Sequence, residues 1–298
     1  MDMKEFAAKV CDSMRAELGS GYRVDVKEVT KNNGVVLHGL TIVAQGETVA
    51  PTIYLESFLE AHEFGIPFQS VFKEMLDAYR RSEPDKGVNL DFFRSFEAVR
   101  DRICYRLIGK KGNEELLKQI PYVDFLDLAI CFYYAYQGES LGDGSILIYN
   151  SHMDMWETCI TELFGLAKRN TQRLLPWTCC SLDEVIAEMA GSAGQPLEAS
   201  ELDLPLKVLS NTKRLHGAAC ILYPGVLEAL AQKEGGGFLI LPSSVHEVLL
   251  LPNDKMIAEP EEFRQMVRDV NSTQVAPEEV LSDSLYYYDM ADKRVKVV

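Results

Sequence analysis

The sequence predicts an α+β protein with mixed or largely antiparallel sheets and helices packed on their faces. Near the start, YRVDVKEV leads through Asn33-Gly34 into VVLHGLTIV, and Asn-Gly supplies the positive φ angles that a tight hairpin turn demands. Near the end, YYYD and RVKVV read as a second hairpin across Ala291-Asp292. Between the two, strands and helices interleave without the one-to-one rhythm of a doubly wound parallel sheet.

Each element has a local reason. Met3, Phe6, Val10, Met14 and Leu18 recur at helical spacing, with Gly19 as C-terminal cap. After the first hairpin, APTIYL is a third extended piece. Two helices follow from Leu55 to Arg81, broken around Gly65-Ile66-Pro67, the second with a stripe of Phe68, Val71, Phe72, Met75 and Tyr79. In LDFFRSFEAVRDRICYRLI the first part reads as helix and RICYRLI as strand, with Ile103, Tyr105 and Leu107 on one face. Asn113 is the expected cap of EELLKQI. LDLAICFYYAY and SILIYN read as strands joined by a loop holding Asp143-Gly144, the first apolar on both faces as a covered strand is.

Ser151, with Asp154 three residues on, predicts a capping box for a helix whose buried side holds Trp156, Ile160, Leu163 and Ala167. SLDEVIAEMA is a short helix. LPLKVLSN and AACILY read as strands, Pro224 opens the helix GVLEALAQKEG, and Gly235-Gly236-Gly237 stops it. GFLILPSSVHEVLLLPND is a hairpin with Pro242-Ser243-Ser244 as its turn. An acidic helix follows from Pro260, striped by Phe263, Met266, Val267 and Val270. The expected organisation is an α+β region over 1–190, with a sub-division near 82–87, a linker at 191–204 poor in large apolar residues, and a second α+β region over 205–298.

Composition narrows the class. The chain has 298 residues, a formal net charge of −15 and 47% hydrophobic residues, which suits a globular protein with a sizeable core. So negative a field repels phosphate backbones and anionic lipid, so neither nucleic acid nor a membrane surface is an expected partner. The seven cysteines are irregularly spaced, with no Cys-x-x-Cys pair, as in a reducing compartment. The opening MDMKEFAAKV is charged rather than apolar, and no apolar run reaches bilayer length, so a cytoplasmic location is expected.

The sequence holds no phosphate-binding glycine loop, no His-Glu-x-x-His and no Gly-x-Ser-x-Gly. Its five histidines, at 38, 62, 152, 216 and 246, stand one by one, so no metal site and no cofactor is expected. The densest polar cluster is Ser243, Ser244, His246 and Glu247. On one strand, Ser244 and His246 would share a face and form a nucleophile–base pair, oriented by an acid such as Glu247 or Asp254. The simpler reading makes the same residues a hairpin turn. Asn253 and Asp254 are turn chemistry or binding residues. Tyr286 and Tyr288 share a face, either as core or as a ligand platform.

SILIYNSHMDMW (145–156), RLLP (173–176), GFLILPSSVHEVLLLPND (237–254) and VNSTQVAPEEVLSDSLYYYD (270–289) resemble an uncharacterised domain family found in gut Firmicutes, over nearly the whole chain. From Leu206 onward the order of elements is also similar to a second uncharacterised family from Bacillus relatives. These resemblances imply a bacterial cytoplasmic protein of recurring architecture, and no activity, cofactor or catalytic residue. The leading expectation is therefore a non-catalytic binding or protein-interaction protein that engages a peptide or protein. The alternatives are a hydrolase using Ser244 or Ser243 with His246, and an acidic decoy for a basic partner.

Overall fold

A computed structural model describes residues 1–46, 52–82, 91–138, 142–193, 205–253 and 259–298. The chain divides into two compact units, one of residues 1–98 with 135–146, the other of 99–134 with 147–298. Among the described residues there are three sheets, their strands mostly antiparallel, with helices beside them, as an α+β protein requires.

In the first unit, α1 (Met3–Leu18) starts at Asp2, whose carboxylate accepts the Glu5 N–H at 2.8 Å. It packs against a three-stranded sheet of β1 (Tyr22–Thr30), β2 (Val36–Ala44) and β3 (Thr52–Tyr54). Asn33 and Gly34 do take positive φ, but inside a 3-10 turn between Thr30 and Val36 rather than a two-residue loop. Helices α2 (Glu56–Glu63) and α3 (Phe68–Ser82) complete the core, where Phe6, Met14, Leu40, Leu55 and Met75 are fully enclosed. His62 stacks on the Phe6 ring at 6.2 Å while its Nδ1 meets the Ile66 carbonyl at 2.9 Å. Of the sub-division near 82–87, residues 83–87 lie outside the described residues.

A short helix α4 (Phe96–Val99) and a 3-10 turn precede the second unit's first strand. A four-stranded sheet takes the order β4 (Ile103–Gly109), β6 (Leu128–Gly138), β5 (Tyr122–Phe125), with β7 (Gly142–Leu147) also paired to β6. Between β4 and β5 lies α5 (Glu114–Leu117). Asn113 precedes α5 but does not cap it: its side chain donates to the Gly109 carbonyl at 2.9 Å, and Glu114 takes the Gly112 N–H instead. Helix α6 (Asn150–Trp156) ends at Glu157 in the left-handed region, and α7 (Ile160–Leu174) starts afresh. The expected Ser151/Asp154 box is replaced by His152, whose Nδ1 accepts the Tyr149 N–H at 3.1 Å. Buried Asn170 and Thr171 of α7 close the edge of β4: the Asn170 amide donates to Arg100 and Ile103 carbonyls, and Thr171 Oγ1 accepts the Tyr105 N–H.

The larger sheet holds β8 (Trp177–Ser181), β9 (Lys207–Asn211), β10 (Phe238–Ser244), β11 (Glu247–Pro252), β12 (Tyr286–Asp289) and β13 (Arg294–Val297), in the order β13-β12-β10-β11-β9-β8. Helix α8 (Leu182–Ala193) follows β8, and residues 194–204 lie outside the described residues. β8 and β9, on either side of that stretch, pair directly. AACILY is not a strand: residues Gly217–Leu222 form a 3-10 turn, because all five residues from Gly217 to Ile221 are buried on every side. Helix α9 (Val226–Glu234) ends at Gly235, whose φ of 77° makes it the expected cap. Gly237 is required for a different reason, since a Cβ there would lie 2.3 Å from the Tyr288 carbonyl.

Helix α10 (Pro260–Thr273) buries Phe263 and Val267 against Leu239, Leu241, Leu251 and Leu285. Val270, expected in that stripe, is exposed; the stripe ends instead on Asn271, whose amide donates to Ser282 O and Asp283. Among the described residues no helix is long and apolar enough to cross a membrane.

The Leu126-Asp127 corner is tied to the last strands by Asp127, which accepts from Ser282 Oγ and Tyr286 OH, both at 2.7 Å. Tyr286 is 1% exposed, so its hydroxyl has no water to fall back on. Replacing Asp127→Ala is expected to cost about 1–3 kcal/mol in chemical denaturation. Adding Tyr286→Phe to that variant recovers part of the loss, which a double-mutant cycle measures.

Candidate functional site

The turn that joins β10 to β11 is Val245-His246, not Pro242-Ser243-Ser244. Pro242 and Ser243 lie within β10, where the register shifts between Pro242 and Ser244, and Ser244 sits opposite Glu247. Ser244 and His246 therefore do not share a strand face. Ser244 Oγ accepts the His246 main-chain N–H at 3.0 Å, a local turn bond. His246 Nδ1 accepts the His216 N–H at 3.2 Å, which places the proton of the neutral ring on Nε2. Nε2 in turn lies 3.5 Å from Glu279. Neither ring nitrogen is left to take a proton from Ser244.

The carboxylate at His246 is thus Glu279, while Glu247 opens β11 and Asp254 lies outside the described residues. Asn253 is exposed, its N–H donating to Gly237 O at 3.0 Å. Tyr286 is core, as described.

Tyr288 has a different setting. It is buried in the sheet, yet it forms part of the floor of a cleft of about 430 Å³ with Ile221, Tyr223, Leu227 and Val295. Glu228 and Lys293 pair at the rim at 2.6 Å, and Arg294 lies beside them with no partner among the described residues. Val295 and Arg294 belong to β13, an edge strand of the sheet among those described.

A second group of residues went unmarked in the sequence. β4 and β6 pair with Arg106 opposite Cys131 and Cys104 opposite Tyr133, so all four side chains share one sheet face. The His216 ring meets that face, edge-on to Tyr133 at 5.1 Å, and stacks on His246 at 5.7 Å and 11°. Arg106 Nε and both His216 ring nitrogens are enclosed without a hydrogen-bond partner, and the Tyr133 hydroxyl, also enclosed, has only the weakly bonding Cys104 thiol beside it. Burial pushes the Tyr133 hydroxyl far up and lowers the Arg106 guanidinium from its ordinary value. Burial, then the Arg106 charge, then His246, hold His216 well below the usual histidine value.

His216 is positioned by its own corner. It lies in the left-handed region at φ 54°, as does Arg214 at φ 49°. At Gly217 a Cβ would lie 2.1 Å from Ser210 Oγ and 2.4 Å from the His246 carbonyl. The same carbonyl accepts from Ser210 Oγ at 2.7 Å, and Val245 bonds both Ala218 and Glu279 through its main chain. Among the described residues no group of three or more His, Cys, Asp or Glu is arranged to hold a metal ion. The remaining histidines are engaged singly, His38 with Glu56 at 3.0 Å and His152 as described.

His216 is neutral when folded, and its unfolded value is about 6.5, so the unfolded chain binds the extra proton. Stability should therefore fall as pH drops below about 6.5, by at most about 1.4 kcal/mol per pH unit from this group. Denaturant melts across that range should show a shallower acid slope in His216→Asn, a residue that tolerates the left-handed corner.

No curated protein and no solved structure matches the chain. One family does, over residues 3–290, nearly the whole length. The chain therefore belongs to the family of unknown function DUF5688.

Proposed function

We propose that the protein is a non-catalytic binding protein of the bacterial cytoplasm, which takes a peptide or protein segment as an added strand along β13. The observation behind this reading is the cleft beside a sheet edge: an apolar floor of Ile221, Tyr223, Leu227, Tyr288 and Val295, with Arg294 at its rim, unpartnered among the described residues. An extended segment would pair its main chain with β13 and place alternate side chains over the cleft. A carboxylate on that segment would meet Arg294, the neighbouring Lys293 being held by Glu228 and Lys296 by Asp289. The volume lies within the range of ligand clefts. All seven cysteines are free, which fits a reducing compartment.

The hydrolase alternative retains one supporting contact, Glu279 at His246 Nε2. Against it stands the engagement of both ring nitrogens away from Ser244, which leaves the hydroxyl without a base.

A displayed random-peptide library panned against the full chain is the test. Selected sequences should share apolar residues at every second position together with an acidic one. Arg294→Glu, at an exposed position, should weaken a selected peptide about tenfold, or about 1.4 kcal/mol in calorimetric titration. Absence of any sequence-dependent binder, or equal affinity in the variant, overturns the proposal. For the alternative, p-nitrophenyl ester turnover should be the same in wild type and in His246→Ala. Turnover that requires both Ser244 and His246 would favour the hydrolase.

A further inference from the structure

We propose that Arg106, Tyr133 and His216 form an enclosed binding site for a small oxyanion, a phosphate or a carboxylate group. The register of β4 and β6 sets Arg106 and Tyr133 on one sheet face, and His216 closes on Tyr133 from the Arg214–Gly217 corner. What these residues present is a guanidinium fork, a phenol hydroxyl and an imidazole; the enclosed atoms Arg106 Nε, His216 Nδ1 and His216 Nε2 have no partner, and Tyr133 Oη has only the Cys104 thiol, a weak one. Tyr133 is 1% exposed and His216 9% exposed.

Arg106 is partly exposed as a residue, but its Nε is enclosed, and a guanidinium so far withdrawn from water is held at lower cost beside a counter-charge. Among the described residues none is supplied: Arg106 makes no ion pair there, and the groups that act on it electrostatically are Cys131, Tyr133 and Tyr149 rather than a carboxylate. Cys104 and Cys131 share the face, but burial pushes their thiols up, to about 11 and about 12, so neither is a thiolate at neutral pH. The partner proposed for these donors is an anion from outside. A planar fork with flanking O–H and N–H donors matches the oxygens of phosphate or carboxylate. A halide would satisfy the charge but not the separate donor directions.

The left-handed backbone at His216 supports the same reading. A strained corner that Gly217 allows to pack against two neighbouring turns holds the imidazole at Tyr133. The site is distinct from the β13 cleft, from which it draws no residue, and the two proposals fail separately.

The test uses the full chain, dialysed into a buffer with chloride as the only anion, with thermal melts on adding millimolar inorganic phosphate or acetate. Wild type should gain several degrees with one of the two, which identifies the oxyanion. Arg106→Met should lose that gain, and without oxyanion should melt no lower than wild type, since an uncompensated charge has gone. Comparing the two proteins removes any general salting effect of phosphate. If Arg106→Met does not fold, nitrogen-15 NMR of the Arg106 Nε in wild type reads the same contact, as a shift on adding the bound oxyanion. No gain in wild type, an equal gain in Arg106→Met, or an unmoved Nε resonance overturns the proposal.

Discussion

Much of the second unit depends on there being no side chain at position 217. The 3-10 turn Gly217–Leu222 passes so close to β9 and to the β10–β11 turn that Ser210 Oγ, the His246 carbonyl and the Asn211 N–H fill the space a Cβ would take. That approach lets Ser210 Oγ donate to His246 O, Cys220 Sγ to Ser210 O, and the Ala218 N–H to Val245 O, so three segments distant in sequence share one set of bonds to main-chain carbonyls. Interiors this dense do not deform gradually. A substituent at 217 would separate the turns together rather than displace one of them. The left-handed geometry of His216 persists because its neighbours over-determine it.

The fold was legible where a pattern is local. Helical stripes marked α1, α3 and α10, turn residues marked the N-terminal hairpin, and the alternation of YYYD placed Tyr286 and Tyr288 on one buried face. It was illegible where burial on all sides erased periodicity, so the apolar run AACILY looked like a strand although it coils beneath one. Caps failed for a related reason. Asn113 and Ser151 stand at the right positions, yet tertiary partners at Gly109 and at His152 took over the bonds that local rules assign. Val270 kept the helical spacing, but its face had rotated out of the core, and Asn271 filled the last buried position.

The candidate site shows the same division. Ser244 and His246 were conspicuous because they are adjacent, and adjacency is what a turn produces. Arg106 was inconspicuous because RICYRLI shows its apolar alternation at Ile103, Tyr105 and Leu107, leaving Arg106 on what reads as the open face. Only the pairing with β6, which sets Cys131 and Tyr133 there, turns that face inward. No local signal encodes a strand register across more than twenty residues.

Hydrogen-bond satisfaction separates the two clusters more sharply than residue type does. In the turn, Ser244 Oγ, His246 N and Nδ1, Ser210 Oγ and the His246 carbonyl all have partners, so the cluster is complete as a piece of structure. On the β4–β6 face, groups with a larger desolvation cost have none. Folding alone gives little reason to draw an arginine Nε out of water beside an imidazole that the guanidinium destabilises as a cation, since two apolar residues of similar volume would pack there at lower cost. Among the described residues these donors stay unmatched, and that is the observation on which the proposed oxyanion site rests. A serine and a histidine can sit side by side for the sake of a turn. An arginine with an enclosed Nε and no counter-charge among the described residues has no comparable structural use.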